Sequence, residues 1–332
     1  MKSIIRWACV IAAGLAPALL SSTAIGADMV QITIVGAGKG AGAFRQAGAV
    51  AETVNKYSKT VRITNQESPG FVGNTRMIAR GRVELALTNG VLVDAILRRQ
   101  HPFEKEKVPT NLRGIGPVAG AWLQIAVLAD SDIKQMSDLK GKRVSLGPKG
   151  SNSAYMLETT FKTLGILDSM RKDYLKWGDA ANYMIDGKLD AFGIPNPIPS
   201  PSILQAAQSR PVRVLDVPEK VRDAFLKISK GYSKTDADMS VYNGMKGKKI
   251  KTVSYSVYML AQDTLPADVV YEVAKAFYDP KHRDFVLSVY KPLRDGLNAA
   301  STPAFIGDMK SFGLQLHPGA ARYWKERGYA VN

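Results

Sequence analysis

The stretch Gly141–Ser153, GKRVSLGPKGSNS, decides how this chain is organised. Val144-Ser145-Leu146 predicts a short buried strand, and Gly147-Pro148-Lys149-Gly150 is a turn too rich in glycine and proline to be helix. Ser151-Asn152-Ser153 then offers N-cap side chains to a run with helical spacing: Tyr155, Met156, Leu157, Thr160, Phe161 and Leu164. A strand, a glycine turn and a capped helix start aim free backbone N–H groups and the positive end of a helix dipole at one point. That arrangement suits a carboxylate or a phosphate. An ordinary βα connection is the competing account. Recurrence favours the anion site, because several such turns follow one another and can share a cleft.

Upstream, Gln31–Val35 predicts a strand, Gly36–Gly42 a glycine loop and Phe44–Tyr57 a helix through Val50, Val54 and Tyr57. Gly36, Gly38 and Ala41 match the spacing of a dinucleotide fingerprint, but no acidic residue ends the second strand, Val61–Thr64, at the required distance. The loop is therefore taken as a backbone cradle that lets a ligand approach closely. Ser68–Gly73 is a second loop of this kind, before a helix with Met77 and Ile78; Val83–Leu87 is a third strand ending at Thr88-Asn89-Gly90. Ligands of open α/β sheets bind beyond the carboxyl ends of the strands. The periodic layout predicts an α/β fold of mostly parallel sheet flanked by helices.

Downstream, Trp122–Leu128 is long enough to pass from one lobe to another, and Val253–Leu260 reads as the return crossing. Between them lie a short helical turn at Met136–Lys140, the central stretch, Lys188–Gly193, a strand at Val212–Leu215 and a lysine-rich run, Lys246–Lys251, read as a solvated loop. Pro195–Pro201 holds four prolines and is expected to be a fixed, non-helical loop at a strand end. Two crossings between two lobes form a hinge over a cleft. The expected division is 28–122 with 253–332 as one lobe and 123–252 as the other. Helices at Ala267–Phe277, Arg283–Leu287, Ala304–Phe312 and Pro318–Arg327 finish the chain.

The 332 residues are 45% apolar and 22% charged, a globular composition with room for two lobes. Lys2 and Arg6 precede an apolar run from Trp7 to Leu20, which gives way to small residues at Ser21–Ala27. This predicts a secretory signal peptide over 1–27, cleaved after Gly26 or Ala27, and a periplasmic mature protein. Cys9 is the one cysteine and falls inside that peptide, so no disulfide, thiolate metal site or cysteine nucleophile is expected in the mature chain. Removing the two leader cations takes the formal charge from +16 to +14, which attracts anionic solutes or an acidic surface. The basic residues are scattered rather than clustered with aromatics, which argues against a nucleic-acid partner. His101, His282 and His317 are far apart in sequence and make no metal set.

Taken in order, Asp138–Val144, Gly147–Ser151, Asp190-Ala191-Phe192, Pro199-Ser200-Pro201, Leu265–Tyr271 and Leu316–Tyr323 resemble the TAXI family of TRAP-transporter solute-binding proteins. The resemblance covers nearly all of the mature chain. It implies a two-lobed type II periplasmic binding fold that closes over an organic anion; a monomer without a cofactor is expected. It also implies delivery to a TRAP-type membrane permease driven by an ion gradient. Family ligands lean towards glutamate-like amino acids and carboxylates. The family's Gly-Gly-Thr-Tyr-Tyr loop ending lands on Ala41-Gly42-Ala43-Phe44-Arg45, its Gly-Ser pair on Gly70-Phe71, its Gln-Ser-Asp on Asn89-Gly90-Val91, and its Ser-Gly-Thr on Ser151-Asn152-Ser153. A guanidinium and two phenyl rings thus stand where hydroxyls and phenols are usual, pointing to an aromatic or otherwise larger carboxylate.

The candidate ligand residues are Gly38, Lys39, Gly42, Ala43, Phe44 and Arg45 in the first loop, Ser68 and Phe71 in the second, and Asn89 at the third strand's end. Ser151, Asn152 and Ser153 in the central turn and Asn196 in the proline loop complete them. Arg45 is read as a bidentate carboxylate clamp, against the plainer role of a surface residue. Phe44 or Phe71 is read as stacking on a flat ligand. Catalytic residues are not expected: Ser151 lacks a nucleophile elbow and a nearby histidine. A ligand sensor feeding a membrane receptor, or an enzyme on the same fold, are the alternative functions.

Overall fold

A computed structural model describes residues 29–331. The basic and apolar leader, Cys9 and the two cleavage positions lie outside the described residues. From the start of the described chain, β1 (Val30–Val35), α1 (Gly42–Tyr57), β2 (Val61–Gln66), α2 (Phe71–Ala79), β3 (Leu85–Asn89) and α3 (Gly90–Leu97) make three strand–turn–helix units. β4 (Leu112–Leu128) then crosses the molecule. Beyond it lie β5 (Arg143–Ser145), α4 (Asn152–Leu164), β6 (Arg171–Asp173), α5 (Trp177–Ile185), β7 (Ala191–Asn196), α6 (Pro201–Ser209), β8 (Val212–Val214), α7 (Glu219–Ile228) and β9 (Ser233–Asp238). β10 (Lys249–Gln262) returns. The chain ends with α8 (Ala267–Tyr278), α9 (Arg283–Val289), α10 (Arg294–Ala299), α11 (Ala304–Ser311) and α12 (Pro318–Glu326).

The strands form one mixed sheet in the order β2-β1-β3-β10-β4-β7-β5-β6, with β8 added to β4 and β9 to β10. β1, β2 and β3 are mutually parallel, as are β5, β6 and β7 at the other end. β10 runs antiparallel to both its neighbours in the centre, and β4 antiparallel to β7. The sheet is continuous because the crossing strands are longer than the sequence suggests. β4 has 17 residues rather than the seven of Trp122–Leu128, and β10 has 14. At about 3.3 Å per residue β4 reaches roughly 55 Å. It pairs with β10 from Leu112 to Trp122, then with β7 from Trp122 onward. β10 pairs with β9 up to Ser254 and with β3 from Val257. Both strands thus change partners at the same level, Trp122 opposite Ser254.

The first half of β4 was hidden by its glycines, and the packing explains them. A Cβ on Gly114 would lie 2.5 Å from Met309 Sδ, and one on Gly116 2.8 Å from the Tyr278 hydroxyl oxygen. Helices α8 and α11 lie against this stretch of strand, and α10 joins them, with a Cβ on Gly296 falling 2.0 Å from Val118 O. Small residues are the only ones that let the layers meet. Gly36 shows the same logic at the end of β1: its Cβ would lie 2.0 Å from Ala43 O. The fingerprint-like glycine is therefore needed for strand–helix contact.

Other differences are local. Lys249-Ile250-Lys251 begin β10 instead of a loop, because Asp238, Ala237 and Asp236 of β9 pair with them. Pro201 begins α6 instead of closing a loop; its missing N–H is no loss at a helix's first position. β6, Arg171-Lys172-Asp173, is exposed at every residue and carried no apolar signal. Among the described residues, no helix is long and apolar enough to cross a membrane, and no group of three or more metal-binding side chains converges.

His317 caps α12: its Nδ1 accepts from Gly319 N at 3.2 Å, which leaves the proton on Nε2. The ring is 1% exposed, and burial holds its pKa below the usual imidazole value. The unfolded chain therefore binds a proton that the folded chain refuses. This stabilising term is present above about pH 6.5 and is lost as pH falls below it. His317→Asn, which keeps a cap, is expected to flatten the melting-temperature profile between neutral and mildly acidic pH relative to the parent. A second expectation contrasts two glycines by chemical denaturation. Gly36→Ala should lower stability by about 1–3 kcal/mol through overpacking. Gly178→Ala, in a helix with nothing within 4 Å of the new carbon, should raise it by about 0.4–1 kcal/mol.

Candidate functional site

The carboxyl ends of β1, β3, β5 and β7 lead into the starts of α1, α3, α4 and α6, and those of β2 and β6 into α2 and α5. Four of these starts face one another across the sheet's midline. Gly42 opens α1 so close to Asn196 that a Cβ would come within 2.5 Å of its Oδ1. Gly70, before α2, faces Ser151 and Trp177, the starts of α4 and α5. Gly73 N donates to Gly150 O at 3.0 Å, a backbone bond between the two ends of the sheet. No acidic residue occupies the first turn of α1, α2, α3, α4 or α6, and Asp179 of α5 is the exception. Helix starts usually favour acids; here the positive ends of α1, α2 and α4 are left uncompensated at one cleft.

The side chains at the centre are fixed by hydrogen bonds inside the protein. Ser151 caps α4 by accepting from Ala154 N at 3.1 Å, and Asn89 caps α3 by accepting from Leu92 N at 2.8 Å. Trp177 Nε1 donates to Ser153 Oγ at 3.0 Å, and Asn152 Nδ2 to the Tyr255 hydroxyl at 2.7 Å. Burial pushes the Tyr255 phenol well above its usual range, so it stays neutral. The proline loop is anchored from below: Gln124 Nε2 donates to Asn196 O at 2.9 Å, and Tyr242 bridges Gln124 Oε1 and Ser200 N at 2.7 and 2.6 Å. Asn74 does the same for the first loop, donating to Gly36 O and Leu87 O at 2.7 and 2.8 Å. Two amide atoms in this centre, Asn152 Oδ1 and Asn89 Nδ2, are buried without a partner.

Phe71, Asn152, Trp177, Asn196 and Tyr255 enclose a cavity of about 20 Å³. That is room for about one water, against the roughly 300–1,000 Å³ of small-molecule sites. The two ends of the sheet are in contact across the cleft, and a larger guest requires them to part.

Of the residues singled out from sequence, Ala43, Phe71, Asn152, Ser153 and Asn196 line this cavity, with Gly42 and Ser151 at its edge. Gly38 lies beside Trp177. Others lie away from it. Lys39 is exposed and paired with Glu67 at 3.6 Å, and Ser68 Oγ accepts from Gly70 N within its own turn at 3.3 Å. Phe44 is half-buried, its carbonyl held by Asn65. Arg45 is exposed and lines a separate groove with Tyr290 and Ile198. The sequence reading missed Trp177 and Tyr255. Trp177 follows the short charged strand β6, which hides the strand–turn–helix unit; Tyr255 was readable only as one residue of an alternating strand.

The sequence description of the NMT1-like family matches residues 34–328. The chain belongs to the NMT1-like family. Among solved structures, one described as a periplasmic transporter superposes on this NMT1-like chain with a TM-score of 0.55 and 16% identity, over 93% of this chain and all of that one. A protein of glutathione import from Streptococcus mutans gives 0.49 at 16% identity, over 81% and 96% of the two chains. The periplasmic aliphatic sulphonate binding protein SsuA from Escherichia coli gives 0.40 at 19%, over 90% and 83%. Of these three, the first carries the fold: an α/β architecture of mixed sheet flanked by helices, as the sequence reading expected.

Ser153→Ala is expected to leave the Trp177 N–H buried and unpaired in the NMT1-like cleft. Denaturant titration should show a loss of about 1–3 kcal/mol, and tryptophan fluorescence should report a changed environment.

Proposed function

We propose that this chain is a periplasmic solute-binding receptor that captures an organic anion between two lobes and hands it to a membrane permease. The observation that carries the reading is the convergence of helix starts from both ends of the sheet on one cleft free of acidic lining. Membership of the NMT1-like family and the likeness to a structure described as a periplasmic transporter support it. The lobes are taken as 28–122 with 253–332, and 123–252, hinged where β4 and β10 change partners. Binding proceeds by parting of the lobes, entry of the anion among the starts of α1, α2, α4 and α5, and closure. A ligand shifts such an equilibrium only by touching both lobes. Ala43 and Phe71 come from one side, and Asn152, Ser153, Asn196 and Trp177 from the other. The guest's acid is met by the backbone N–H groups at these helix starts, and Asn152 Oδ1, buried without a partner, can accept only from a donor on the guest.

The finer assignment, a TAXI-type receptor serving a TRAP secondary permease, rests on the ordered motifs from Asp138 to Tyr323. The flat walls given by Phe71 and Trp177 favour an aromatic or larger carboxylate over glutamate. Calorimetry and small-angle scattering against aliphatic, aromatic and amino-acid carboxylates test this reading. An aromatic acid is expected to bind and to compact the protein. Phe71→Ala, which removes one flat wall of the cleft, should weaken that affinity about tenfold. Binding without compaction would remove the hinge from the mechanism. Uptake in vesicles that fails when the sodium or proton gradient collapses, and persists without ATP, is the expectation for a TRAP partner.

A further inference from the structure

A second space between the two ends of the sheet lies beside the cleft and holds about 500 Å³. Arg45 of α1, Tyr290 after α9 and Arg294 at the start of α10 line one wall, and Ile198, Leu204 and Val241 the other. Among the described residues, neither Arg45 nor Arg294 has a carboxylate within 4 Å, and neither does the neighbouring Lys291; the fifteen ion pairs found among those residues all involve other cations. Asp295 at the rim offsets one of these three charges. Arg45 also stands in the first turn of α1, where the helix dipole adds to its field.

The decisive member is Tyr290. It is 8% exposed, and its hydroxyl is buried with no partner. An orphaned buried hydroxyl is costly unless something completes it. Burial pushes the phenol up to about 12, and the Arg45 charge on the same wall pulls it back. The opposite wall offers no hydrogen-bonding side chain. Val241 is 48% exposed, an apolar side chain on the lip of the groove.

We propose that this groove binds an amphipathic organic anion: a single acidic head at Arg45, Arg294 and the Tyr290 hydroxyl, with an aliphatic body on Ile198, Leu204 and Val241. The site is independent of the cleft at Phe71 and Trp177. Because its walls come from both ends of the sheet, its ligand also clamps them together.

Octanoate is the probe, with acetate as the head without a body and octylammonium as the body without the head. Calorimetry on the mature protein is expected to show octanoate binding and neither control. Arg45→Ala, an exposed position that leaves the core untouched, should weaken octanoate about tenfold. Tyr290→Phe, which keeps the ring, should weaken it by a smaller factor and raise the melting temperature of the free protein. Absence of octanoate binding would overturn the proposal. So would octanoate binding that survives both substitutions, or that falls in Phe71→Ala instead, which would assign the acid to the cleft. Acetate binding as tightly as octanoate would overturn the aliphatic wall. Loss of aromatic-acid binding with octanoate binding retained would leave the groove standing and count against the cleft alone.

Discussion

The antiparallel pairing of β4 with β10 is the constraint on which the rest depends. From Leu112 opposite Gln262 to Trp122 opposite Ser254, it holds the centre of the sheet. Each strand then leaves the other for partners at the far end. Everything between Leu128 and Lys249 is an excursion hung from two adjacent points, so its position relative to the first three units is set by those two strands. The helices on either side are packed to backbone contact at Gly36, Gly296 and Gly319.

Much of this was legible in the chain. Strands with alternating or continuous apolar residues, such as Val30–Val35 and Leu85–Asn89, and helices with strong spacing, such as Gly42–Tyr57, were read within a few residues. What failed to show had physical reasons. β6 is three charged residues on an exposed edge, stabilised by Arg143–Ser145 beside it and not by any apolar face of its own. The first half of β4 reads as loop because glycine is unfavourable in an isolated strand; the C-terminal helices that require it lie nearly two hundred residues away in sequence. The site divided along the same line. Backbone features, the glycine turns and helix starts, were visible because local sequence encodes them. Which side chains share a cavity depends on closure of the two ends, and so Arg45, adjacent in sequence to Ala43 and Phe44, faces a different space.

The electrostatic design is one of omission. The chain carries sixteen more cationic than anionic side chains, yet the cleft is lined by neutral groups, with dipoles and N–H donors supplying the positive character. Neutral lining desolvates at little cost when the ends meet, whereas a lysine or arginine in a cavity of that size would have to lose its water. Fixed charges stand instead at the flank, where Arg45 and Arg294 keep contact with solvent.

The route of the chain has a bearing on synthesis. β3 and β4 both wait for β10, which is made only after all the intervening strands and helices. Until then the emerging polypeptide has two unpaired central edges and no lasting core, and closing so long a loop is slow. A nascent chain of this kind lacks its central pairing until its last quarter, from Lys249 onward, has been made.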